Sequence, residues 1–151
     1  MNFKNILFQF CAGLFLLLGF KQFFIFTDLD LIELISNMGK ESFAYFANKS
    51  DKFGISTKIT RLLQTQLILG FVAIMINYLV LFAIAFKQKL NWNISIVITV
   101  ILCLIHYFKL IDGYVISFLP INLVAAYMIP AFIYLLLAGV FYVLSFRSTS
   151  K

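Results

Sequence analysis

His106, Lys109 and Asp112 stand three residues apart in CLIHYFKLIDGY, where an apolar run comes to its end. An imidazole, an ammonium and a carboxylate on successive turns of one helix could move a proton or hold a polar ligand. Arg61, Gln64 and Gln66 open another apolar run and add a guanidinium and two amides. If the two runs are antiparallel neighbours, these six residues gather at one end and form a candidate binding pocket. His106 sits too deep and is too short to reach water, so it is expected to stay neutral and to hydrogen-bond a neighbouring helix. Lys109, and by the same reasoning Lys21, can stretch its stem until the ammonium reaches the interface.

Other chemistry finds less material. His106 is the single histidine, and Cys11 and Cys103 have neither C-x-x-C spacing nor neighbouring ligands, so no metal site and no cofactor is expected. A buried thiol in this setting is a small apolar group. There is no P-loop, dinucleotide glycine pattern, H-E-x-x-H or G-x-S-x-G, and no catalytic residue is assigned. No row of ionisable groups joins the two ends of the spans, which weighs against ion-coupled transport.

The elements that must position these residues follow from composition. Hydrophobic residues make up 63% of the chain and charged ones 12%, against ~45–50% and ~25% in soluble domains. Too few charged groups exist to cover a water-facing surface, so lipid is the expected solvent. Apolar stretches at about 5–26, 62–86, 94–111 and 120–146 meet the ~20 residues needed to cross a bilayer. They lack the alternation of a membrane barrel strand. The expected fold is therefore all-α: one polytopic membrane domain over 1–151, a four-transmembrane-helix bundle with short amphipathic interfacial helices between spans one and two. At 100° per residue, Ser95, Thr99, His106, Lys109 and Gly113 share a sector of about 80°. Gln66, Gly70, Ala73 and Asn77 share a narrow stripe on the second span, and small or amide residues of this kind line helix contacts in lipid. Spans two and three are expected to meet there. Pro130 predicts a kink inside the fourth span.

Between the first two spans, residues 27–60 carry helix signals rather than linker composition. Thr27-Asp-Leu-Asp30 reads as a capping box, and Leu31, Ile32, Leu34, Ile35 and Met38 then recur at helical spacing. A second short helix is expected over Glu41–Asn48, with the second span starting early, near Ser56. An amphipathic helix beside a membrane lies in the interface or docks on a neighbour. Leu31, Ile35, Phe43 and Phe46 are thus the candidate partner-interface residues. The outline of Gly13-Leu-Phe-Leu-Leu-Leu-Gly-Phe-Lys-Gln-Phe-Phe with its amphipathic linker is similar to the start of small four-helix DoxX-like membrane proteins. The likeness lies in hydrophobic patterning, over about a quarter of the chain, and assigns no function.

Charge bears on orientation and partners. Lys4, Lys87, Lys89, Arg147 and Lys151 lie on the side of the termini with no acidic residue, while all six acids lie opposite. The opposite side holds slightly more lysine and arginine, but spread along a long loop, so both termini are expected in the cytoplasm of a bacterial inner membrane. The net charge of +6 flanks lipid spans instead of forming one basic face. The implied partners are the bilayer, anionic headgroups and other membrane subunits or further copies of the chain; nucleic acid is not among them. The leading expectation is a non-catalytic accessory or assembly subunit of a larger membrane complex. The alternative is a small transporter or lipid-handling protein with an outward-facing pocket near His106, Lys109 and Arg61.

Overall fold

The computed structural model describes residues 3–23, 55–88, 92–111 and 123–147. These form four helices and no strand: α1 (Phe3–Gln22), α2 (Ile55–Gln88), α3 (Trp92–Tyr107) and α4 (Leu123–Arg147). Three of them contain a stretch long and apolar enough to cross a membrane: Phe3–Gln22, Leu63–Lys87 and Ala125–Phe146. α3 is equally apolar but has 16 residues, about 24 Å at ~1.5 Å each, against a hydrocarbon thickness of about 30 Å. The interfacial helices expected before Gly54, with Leu31, Ile35, Phe43 and Phe46, lie outside the described residues, as does Asp112.

Alternating helix directions follow from which residues meet. Phe8 and Phe15 pack on Phe141, and Phe23 packs on Phe132, so α4 runs opposite to α1. Phe71 meets His106 and Phe82 meets Trp92, so α3 runs opposite to α2. The two ends therefore differ in content. One holds Lys4, Lys87, Trp92 and the close of α4; the other holds Lys21, Arg61, His106 and Lys109.

α1 is the central helix, packing most extensively on α4, then on α2 and slightly on α3, while α3 leans mainly on α2. Close approach is possible because small residues sit at the seams. A Cβ on Gly19 would stand 3.0 Å from the Leu135 side chain and 3.3 Å from the Ala131 carbonyl oxygen. Ala126, Ala131, Tyr134, Ala138 and Ser145 form the buried stripe of α4 at helical spacing. Leu17, Ala73, Leu81, Ile98 and Leu102 belong to the shared core. Outward faces remain apolar, with Leu79 59%, Phe132 61% and Leu136 67% exposed. Such surfaces suit acyl chains and not water.

One expected boundary is wrong. The apolar run to Ile111 suggested a helix of that length, but α3 ends at Tyr107. The Lys109 N–H donates to the His106 carbonyl at 3.1 Å and the Leu110 N–H donates to the Ile105 carbonyl at 3.1 Å. Lys109 itself has φ 54°. This is the paired-bond helix ending that glycine usually supplies, here built on a lysine. Apolar content continued past a stop made by the backbone, so hydrophobic length overestimated helix length.

Candidate functional site

The end of the bundle that carries Lys21 holds the cluster that includes His106. The ring is 3% exposed. Its Nε2–H donates to the Leu67 carbonyl of α2 at 3.1 Å, and the ring stands edge-on to Phe71 at 5.3 Å and 85°. Gly70 makes the approach possible, since a Cβ there would lie 2.1 Å from His106 Cε1. The stripe on α2 is turned inward, with Gly70, Ala73 and Asn77 buried and Gln66 half-buried, and at Gly70 it meets α3 as its spacing predicted. The deep histidine ties two helices together through a backbone carbonyl.

Lys21, Leu63, Gln66, Leu67, His106 and Lys109 line a cleft of about 20 Å³, room for about one water molecule. Two expectations about it need correction. Lys21 is not stretched out into solvent: it is 5% exposed and lines the cleft with residues of α2 and α3. It stands in the cleft with His106 because α1, not α3 or α4, occupies the middle of the bundle. Lys109 does not share a continuing helical face with His106, because the left-handed turn after Tyr107 places it. It nevertheless reaches the same cleft, with an exposed side chain. Arg61 and Gln64 are exposed and do not line the cleft. Of the six expected residues, the structure brings together Gln66, His106 and Lys109.

A second polar junction lies nearer the middle. The Tyr142 hydroxyl of α4 donates to Asn77 Oδ1 of α2. Asn77 is fully buried, and its Oδ1 together with Leu102 of α3 closes around Gly13 of α1, whose Cβ would lie 2.8 Å from the one and 2.6 Å from the other. Residues from all four helices thus meet here. Thr99 donates to the Ser95 carbonyl and Ser145 to the Tyr142 carbonyl, each within its own helix. Sequence reasoning marks Asn77 by its stripe but does not single out Tyr142. It also misses Asn5, buried on α1.

Between α1 and α3 a third feature opens: a groove of about 360 Å³ lined by Phe3, Ile6, Phe10, Ile94, Val97 and Ile101 among others, with Asn93 at one end. It presents no polar atom along its wall. Cys11 and Cys103 are unpaired thiols on α1 and α3. Among the described residues no group of His, Cys, Asp and Glu could hold a metal ion. Compared with family models, curated proteins and solved structures, the chain matches none.

Proposed function

We propose that this chain is a small integral membrane protein that crosses the bilayer four times and acts as a non-catalytic accessory or assembly subunit of a larger membrane complex. The observation that carries the reading is how the buried polar groups are used. His106 is bound to the Leu67 carbonyl and Tyr142 to Asn77, both contacts between helices. The polar cleft beside His106 holds about one water, which leaves little room for a substrate. Exposed apolar faces on α2 and α4 offer helix-packing surface to a partner. The amphipathic segment with Leu31, Ile35, Phe43 and Phe46 is the proposed docking element, lying flat at the outer face. The termini face the cytoplasm of a bacterial inner membrane, with Lys4, Lys87 and Arg147 at that surface.

Crosslinking in native membranes followed by affinity isolation tests this reading. A larger membrane protein recovered reproducibly, and lost on Leu31→Asp or Phe46→Asp, is the expected result. Recovery of the chain alone or as a homo-oligomer contradicts it. A second reading, a small transporter or lipid-handling protein, draws on Lys21 being buried beside Lys109 and Gln66. Two cations at one cleft suit an anionic ligand. Under that reading Lys21→Gln and Lys109→Gln abolish anion uptake or headgroup binding, and under the first they leave both unchanged.

A further inference from the structure

The groove between α1 and α3 has a shape and a setting that point to one occupant. The two helices run parallel, meet where Gly13 faces Leu102, and leave the groove on the side of their N-terminal ends. The lining residues of α3 span Asn93 to Ile101, about 12 Å at ~1.5 Å per residue. That is close to one leaflet of hydrocarbon, about 15 Å. An occupant must be narrow enough to lie along the groove between the two helices, which leave about 360 Å³. A hydrocarbon chain is thin enough. The wall offers no polar atom to a solute, which removes sugars, nucleotides and amino acids.

The mouth of the groove differs from its wall. Asn93 stands there, Lys4 follows Phe3 with an exposed side chain, and Lys87 closes α2 at the same end, also exposed. Trp92, next to Asn93, packs edge-on against Phe82 at 4.2 Å and 71°, the placement of an interfacial anchor. No acidic residue accompanies these lysines at this end of the described helices. An amphiphile with an apolar tail and an anionic head complements both parts. We propose that this groove holds one acyl chain of an anionic phospholipid from the leaflet on the side of the termini, its headgroup among Lys4, Lys87 and Asn93. The proposal rests on the chain being membrane-embedded but not on its having a protein partner.

Trp92 is the only tryptophan and directly precedes Asn93, which lines the groove, so it serves as the probe. The full chain is reconstituted in phosphatidylcholine bilayers with increasing fractions of phosphatidylglycerol or phosphatidylcholine brominated in the upper part of the acyl chain. Brominated phosphatidylglycerol is expected to quench Trp92 at lower mole fraction than brominated phosphatidylcholine, by about fivefold for each lysine engaged. Lys4→Gln with Lys87→Gln should erase that preference. Val97→Phe, which fills the groove, should weaken quenching by both lipids with helical content unchanged by circular dichroism. Equal quenching by the two lipids, or a preference that survives the lysine substitutions, overturns the site while leaving membrane insertion intact. No quenching by either lipid overturns insertion, and the site with it.

Discussion

Gly70→Ala tests the junction of α2 and α3 most sharply. The added methyl would stand 2.1 Å from His106 Cε1 and 2.2 Å from Nε2, where carbon contacts settle at about 3.5–4.0 Å. The ring must therefore move by more than about 1 Å, which breaks its 3.1 Å bond to the Leu67 carbonyl. Overpacking a closed core costs about 1–3 kcal/mol, and an interhelical hydrogen bond in a membrane protein contributes about 0.6, at most ~1.7, kcal/mol. Alanine recovers about 1 kcal/mol of helix propensity over glycine. The net expectation is a loss of about 1–4 kcal/mol. In a His106→Ala background the methyl enters space the ring has left, so Gly70→Ala should be neutral or stabilising by up to ~1 kcal/mol. Gly139→Ala, with nothing within 4 Å of the new Cβ, is the control and should behave like the second case. Reversible unfolding in mixed micelles, followed by Trp92 fluorescence, gives all the required free energies. An equal cost for Gly70→Ala with and without the imidazole would show that the ring does not sit against Gly70 and would refute the packing argued here.

Two further substitutions separate the account from its alternatives. Tyr142→Phe removes the hydroxyl that binds fully buried Asn77 and should cost about 0.6–1.7 kcal/mol in the same unfolding measurement; no change would mean that the junction contributes nothing to stability. Lys109→Val places a β-branched residue at φ 54° and should lose at least ~1 kcal/mol relative to Lys109→Gly, because left-handed backbone disfavours a Cβ by about that amount. A helix continuing through Lys109 would give the reverse ranking.

Much of this arrangement could be read before any coordinates, and the parts that could not fail for definable reasons. Three long helices follow from apolar length, and Gly70, Ala73 and Asn77 announced a contact face through their spacing. The end of α3 was concealed because the left-handed residue is Lys109, while glycine, the usual marker, arrives only at Gly113. Lys21 looked like an interfacial cation because periodicity gives a direction around one helix and no knowledge of which neighbours enclose it. α1 packs on α2, α3 and α4, and its Lys21, Asn5 and Gln22 are buried, where a lone helix would present them to lipid or water. Tyr142 was hidden among seven tyrosines, since a long-range pair with Asn77 leaves no local pattern. Cleft membership depended likewise on tertiary placement, which is why Arg61 and Gln64 separate from Gln66.

The central claim is that α3, though 16 residues long, crosses the membrane with the other helices. Cysteine placed singly at Asn2, Asn48, Gln88 or Asp112, in a chain carrying Cys11→Ser and Cys103→Ser, can be probed with a membrane-impermeant thiol reagent on intact cells and on inverted vesicles. The account predicts that Asn2→Cys and Gln88→Cys react from one side and Asn48→Cys and Asp112→Cys from the other. Reaction of Gln88→Cys and Asp112→Cys from the same side would contradict it.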